Sequence, residues 1–308
     1  MKLHQNTILA YTANGSRITA EVLKRYGSVS AQTYFEYLVE KSAELCTNTV
    51  RMYKRSVCFI LEQDGKEAEA NQLRGLFDAI DNPARGRKLK LVRRVPHKIF
   101  ERTLSILRAS KSKTSHHAAD LLVATAITGL RPSEWENASL DGRTLTVQNA
   151  KHSDLRGNGE ERELELLDTI TVEERAAIEN MICLIRAKTY KSVRPNLAVA
   201  FKSALADAIK QLEESRWFMR LRLYDFRHQF SADAKLEWGI GTGMVAAAMG
   251  HSVEDTAVQH YGRRKYGSGG MKVRPSDASI AKVRRLYPVQ DAPPAAPSPA
   301  TGRIKLSF

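Results

Sequence analysis

From about Ser30 to Ile80 the apolar positions recur three or four residues apart: Tyr34, Leu38 and Leu45, then Val50, Tyr53, Val57 and Leu61, then Leu73, Leu76 and Ile80. That spacing lays one apolar stripe along each of three helices. Thr47 or Asn48 is placed to cap the second, and Asp64-Gly65 interrupts the pattern before the third. The stretch therefore reads as a small all-helical domain. Its second helix carries Arg51, Lys54 and Arg55 on or near one side, a face that either touches phosphates or is simply solvated.

The period is lost between Asn82 and Arg94, where Pro83, Gly86 and the cations Arg85, Arg87, Lys88, Lys90, Arg93 and Arg94 crowd together. This predicts an interdomain linker suited to lie along a phosphate backbone. A second domain then runs from about Val95 to Pro288, opening with helices near Pro96 to Leu107 and Ser115 to Thr128. Strict alternation takes over in Arg143 to Gln148 and in Arg162 to Leu166, and the polar segment between them holds Gly157-Asn158-Gly159, so a β-hairpin is expected. Helical spacing returns near Glu173 to Ala187, Asn196 to Ser215, Leu223 to Trp238 and Thr242 to Met249. The Pro- and Ala-rich end, residues 289–308, lacks the apolar content for a core and reads as a disordered tail. The fold class expected is mainly α with a small antiparallel hairpin or sheet, in two domains.

Charge changes this picture. Among 308 residues, 48 Lys and Arg stand against 34 Asp and Glu, a formal charge of +14 that favours a polyanionic partner through phosphate neutralisation and counterion release. No apolar stretch is long enough to span a bilayer, and no basic amphipathic anchor helix stands out, so a membrane is not the expected partner. The three cysteines, Cys46, Cys58 and Cys183, have no C-x-x-C spacing and suggest neither a disulfide framework nor a zinc site. The N-terminus lacks the layout of a secretion signal, which points to a reducing cytoplasm.

The candidate chemistry lies in the second half. Arg131 follows an apolar helix and a terminating Gly in Thr128-Gly129-Leu130-Arg131-Pro132-Ser133-Glu134, and Arg227 lies in Tyr224-Asp225-Phe226-Arg227-His228. Two arginines from distant segments can each present parallel donors to one phosphate, although a lone arginine is more often in an ordinary ion pair, as Arg131 would be with Glu134. Lys151 ends the first hairpin strand, from where a flexible ammonium can reach a leaving oxygen, or simply be solvated. His251, in Met249-Gly250-His251-Ser252, can donate to a phosphoryl oxygen or shuttle a proton. Tyr261, in His260-Tyr261-Gly262, is a potential nucleophile, though a tyrosine in such a region is usually packing; His228 and His260 read as structural.

Taken together and in this order, the contexts resemble the tyrosine recombinase (phage integrase) family across about residues 28 to 288. Residues 128–134 are similar to its first arginine box, Lys151 to its hairpin lysine, Phe226-Arg227-His228 to its second arginine box, and Met249-Gly250-His251-Ser252 with Tyr261 to its Gly-His element and nucleophile. Residues 28–84 are similar to its core-binding domain and 95–288 to its catalytic domain; residues 1–27 are an N-terminal extension or an additional arm. In two places the chain departs from the pattern. Tyr224 stands where the family usually has histidine, and the interval from His251 to Tyr261 is one residue longer than common, which leaves Tyr266 as a fallback nucleophile.

What the resemblance implies is site-specific DNA recombination. Arg131 and Arg227 would bind the scissile phosphate, Tyr261 would form a 3′-phosphotyrosyl link, Lys151 would protonate the departing 5′ oxygen, His251 and Tyr224 would support the phosphoryl oxygens, and Glu134 would orient the arginines. The DNA-binding surface would include Arg51, Lys54, Arg55, Arg85, Arg87, Lys88, Lys90, Arg93 and Arg94. Neither metal nor nucleotide cofactor is implied, in keeping with a sequence that has no Walker-type loop and no paired His or Cys ligands. Partners would be double-stranded recombination sites and the protein itself, as a tetramer on two sites with Ser276 to Leu286 exchanged between neighbours or packed on its own domain. A type IB topoisomerase-like relaxing enzyme and a catalytically silent DNA-binding accessory protein are the alternatives.

Overall fold

A computed structural model describes residues 5–78, 94–150, 159–254, 256 and 261–284. The chain divides into two compact units, one through Lys90 and one from Leu91 onward. The first holds α1 (Gln5–Tyr26), α2 (Ala31–Ser42), α3 (Thr47–Gln63) and α4 (Glu67–Asp78). Its core gathers Tyr34, Tyr37 and Leu38 of α2, Val57, Cys58 and Leu61 of α3 and Leu73 of α4 with Ile18 and Val22 of α1. Residues 5–26 are thus a full member of the helical unit, whereas the sequence pattern starts that domain at 28. The α1 stripe is hard to read because Leu9 and Leu23, apolar but exposed, blur it. The residue at the N-cap position of α3 is Cys46, whose side chain makes no capping hydrogen bond, one residue ahead of the expected Thr47 or Asn48.

The second unit is mostly helical around one small sheet. Its elements are α5 (His97–Ala109), α6 (Lys113–Thr128), a 3-10 helix Pro132–Asn137, strands β1 (Ser139–Asp141), β2 (Thr144–Gln148) and β3 (Glu161–Leu166), then α7 (Val172–Ala187) and α8 (Tyr190–Gln211). After a second 3-10 helix, Arg216–Arg220, come α9 (Asp225–Glu237), α10 (Met244–Ala248), β4 (Val273–Pro275) and α11 (Asp277–Ala281). The four strands are all antiparallel in the order β1-β2-β3-β4, with Leu145 opposite Leu164 and Leu164 opposite Pro275. Leu145, Val147, Leu164 and Leu166 point inward from the sheet, and α6, buried almost all round, is the helix on which the unit is assembled. The expected hairpin is thus part of a four-stranded sheet in a mainly helical protein.

Two differences from the sequence pattern are informative. Helix α8 begins at Tyr190 and carries Pro195 inside it, ahead of the start expected at Asn196. The segment after Ser276 folds onto its own domain: Ile280 and Val283 pack on Ala246 and Ala247, the Ser276 amide donates to Glu163 O, and Ser279 Oγ accepts the Glu163 amide. Leu286 and the tail 289–308 lie outside the described residues. Cys46, Cys58 and Cys183 are free thiols. Among the described residues no helix is long and apolar enough to cross a membrane.

Candidate active site

Three helix ends and one strand build the site. The first end is that of α6, where Gly129 closes the helix at φ +64°, a conformation that L side chains rarely adopt; a Cβ there would meet the Phe230 ring at 2.3 Å. The turn throws Arg131 into extended backbone ahead of Pro132, and Glu134, one turn on, reaches back to accept the Arg131 amide at 2.7 Å. The same carboxylate takes the Arg131 guanidinium through its other oxygen at 2.5 Å.

The second is the first turn of α9, which carries Arg227 to full burial. One terminal nitrogen donates to the Gly129 carbonyl and the other to Met249 O at 2.6 Å, while Glu134 Oε2 lies 3.5 Å from the first. The third is the end of α10. The His251 amide donates to Ala246 O and the Gly250 amide to Ala247 O, with Gly250 at φ +65°. This is the Schellman arrangement, in which the residue after the left-handed glycine is turned back along the helix. His251 is thereby delivered to the site by backbone chemistry alone.

Strand β3 supplies a residue that the motif pattern did not single out. Arg162 is fully buried; its Nε donates to Ala248 O at 2.9 Å, one terminal nitrogen donates to Asn149 Oδ1, and the other to Glu134 Oε2 at 2.8 Å. A signal for it existed in the alternation of Arg162-Glu163-Leu164-Glu165-Leu166, because Arg162 shares its face with two inward leucines. Three guanidiniums against one carboxylate leave two positive charges in a buried space, the electrostatics of an anion site. Glu134 responds accordingly. Burial alone raises its pKa, but Arg162, Arg227 and Arg131 together hold the carboxyl well below the usual carboxylate range.

Tyr261 completes the cluster. Its ring lies 5.4 Å from the Arg227 guanidinium carbon, 5.0 Å from the His251 ring and 5.1 Å from the His228 ring, and its hydroxyl is 3.2 Å from that of Tyr224. Burial pushes the Tyr261 phenol up, but the Arg227 and Arg131 cations and the Tyr224 hydrogen bond outweigh it, and its pKa lies below the ordinary phenol value. Tyr224 moves the other way, raised by burial and by that same hydrogen bond. His251, buried among the arginines, is pushed down to about 2 by desolvation and by Arg227, Arg131 and Arg162, and so is neutral at physiological pH. Its Nδ1 and the Nε of Arg227 are buried without a hydrogen-bond partner among the described residues.

The structure thus gathers Arg131, Glu134, Tyr224, Arg227, His251 and Tyr261 around one point. His228, read from sequence as structural, faces both phenols. Tyr266 belongs to a short 3-10 helix, Arg264–Tyr266, with its carbonyl held by Gln229 Nε2 at 2.9 Å, and its ring contacts Lys265 rather than the arginines. Lys151, His260, Arg85, Arg87, Lys88, Lys90 and Arg93 lie outside the described residues. Arg51, Arg55 and Arg94 are exposed, but Lys54 is turned back onto α4, where its ammonium lies 5.1 Å from the Phe77 ring. Among the described residues no group of His, Cys, Asp and Glu has metal-binding geometry.

No protein-family model matches the sequence, and no curated protein matches it. Among solved structures, the chain is similar to a fragment of the Tn1549 transposon integrase, solved in complex with transposon right end DNA and with one tyrosine replaced by phenylalanine. The TM-score is 0.56 at 16% sequence identity, over 86% of this chain and 92% of that one. At that identity the likeness is one of fold, and the fold of this protein is integrase-like.

Proposed function

We propose that the protein is a tyrosine-type site-specific DNA recombinase that cuts and rejoins DNA through a 3′-phosphotyrosyl intermediate in the service of a mobile element. The observation that carries this reading is the seating of the Tyr261 phenol against Arg227 and Tyr224, in a cluster where three guanidiniums share the Glu134 carboxylate. The fold shared with a transposon integrase in complex with DNA supports it, as does the formal charge of +14.

In this mechanism the scissile phosphate binds beside Arg131 and Arg227, and Glu134 fixes the direction of both guanidiniums. The Tyr261 oxygen attacks phosphorus as the bond to the 5′ oxygen breaks. The phenol gives up its proton to solvent, and Lys151 supplies one to the 5′ oxygen. Tyr224 donates to the Tyr261 oxygen as charge builds there. This is the task left to a phenol where a histidine would otherwise stand, because a phenol of raised pKa can donate but cannot serve as a neutral-pH base. Neutral His251 contributes a hydrogen bond rather than a charge. A free 5′ hydroxyl from a partner duplex reverses the chemistry. Recombination then proceeds in a tetramer on two DNA sites, with the cytoplasm, in association with the nucleoid, as its setting.

The test is a nicked suicide duplex carrying the element's own end sequence. Wild-type protein is expected to become covalently linked to the DNA through Tyr261, and Tyr261→Phe is expected to abolish the link. A catalytically silent DNA-binding protein is the second reading, favoured by the commitment of both Arg227 terminal nitrogens to backbone carbonyls. Failure of covalent capture on a duplex that the protein binds would select it. Strand exchange between two duplexes, rather than relaxation alone, separates a recombinase from a type IB topoisomerase-like enzyme.

A further inference from the structure

Lys235 is 2% exposed, an unusual place for an ammonium, and its Nζ donates to the carbonyl of Gly262 at 2.6 Å. Gly262 is the residue directly after Tyr261. On α9, His228, Ala232 and Lys235 are spaced to share one face, and Gly262 lies flat on that face: a Cβ there would meet His228 O at 2.1 Å and Ala232 Cβ at 3.0 Å. The contact continues along the helix. Gln229 holds Tyr266 O, Asp233 accepts the Ser268 amide at 2.6 Å, and Glu237 accepts the amides of Gly270 and Met271.

We propose that Lys235 is a positioning residue for the Tyr261 nucleophile, pinning the backbone just past it to the helix that also carries Arg227. The inference rests on the recombinase reading for its catalytic consequence and on the geometry of α9 for the anchor itself. One rigid helix then sets both the phosphate-binding arginine and the attacking phenol, so their separation does not depend on loop conformation. Small displacements matter at such a site, because a misplacement of about 1 Å can cost roughly a hundredfold in rate. Lys235 acts through the backbone carbonyl of Gly262, so its effect is expected on the cleavage step and not on DNA affinity.

Full-length Lys235→Met, Lys235→Arg and Gly262→Ala proteins provide the test, with two independent readouts. The first is single-turnover covalent capture on the nicked duplex beside the dissociation constant for an intact duplex. The second is the rate of trypsin cleavage at the exposed Arg263-Arg264-Lys265, which reports release of the segment without reference to catalysis. Lys235→Met and Gly262→Ala are expected to slow capture about 10- to 100-fold with duplex affinity within twofold of wild type. Trypsin is expected to cut at 263–265 several times faster in both, and Lys235→Arg is expected to recover part of each property. Wild-type rates of capture and proteolysis in Lys235→Met would overturn the anchor while leaving the recombinase reading intact. Accelerated proteolysis in a protein whose wild-type form gives no covalent product would support the anchor and overturn that reading.

Discussion

Glu134 is the side chain on which the site converges, since it orients Arg131, Arg162 and Arg227 at once and is itself 1% exposed. Removing its charge leaves buried guanidiniums without compensation, a change that typically costs about 3–5 kcal/mol. Glu134→Gln is therefore expected to lower the urea midpoint substantially, and a variant as stable as wild type would show that the arginines are compensated elsewhere. His251 gives a separate signature. Its folded-state pKa is depressed to about 2 against an ordinary 6.5, so between those values only the unfolded chain takes up the proton. Stability is then complete above the ordinary value and is lost as the pH falls through the window. His251→Asn is expected to flatten the decline in melting temperature between pH 7 and pH 4, and an unchanged slope would place the acid sensitivity on other groups. Both residues stood out in the sequence, as did Tyr261, because short motifs survive in one dimension. Arg162 and Lys235 did not, since their roles come from partners far along the chain, at Glu134 and Gly262.

At the level of elements, the end of α10 shows how backbone geometry becomes chemistry. Gly250 must be left-handed to close the Schellman turn, and a methyl there would also come within 2.4 Å of Asn149 Oδ1 and 2.8 Å of an Arg162 nitrogen. Gly250→Ala is expected to destabilise by about 1–3 kcal/mol and to displace His251, so that capture falls further than the folded fraction does. Equal losses in the two measurements would reduce Gly250 to a purely structural role. The longer helices were legible because each buries a stripe at helical spacing. Strands β1 and β4 were not, being three residues each, too short for alternation to register, and β4 joins β3 across a separation of more than a hundred residues. Pro195 misplaced the start of α8, since a proline normally marks a helix boundary and here lies within the first two turns.

For the whole molecule, charge is the dominant long-range property. Duplex affinity is expected to fall steeply with salt, and Arg51→Ala with Arg55→Ala is expected to lower the slope of log affinity against log salt by roughly 1 for each arginine that meets a phosphate. An unchanged slope would mark that face of α3 as solvated only. Lys54 is a poorer candidate, being folded back against Phe77. The second unit has a consequence for assemblies of several subunits. Downstream of Tyr261 the chain is fastened to α9 at Gly262 and to its own sheet at β4, so the phenol is tethered to the arginines of the same polypeptide. On the proposed recombinase reading, each subunit would then be self-sufficient for cutting. Mixing Tyr261→Phe subunits with Arg131→Ala subunits should generate no complementation, since neither can lend its intact half to the other.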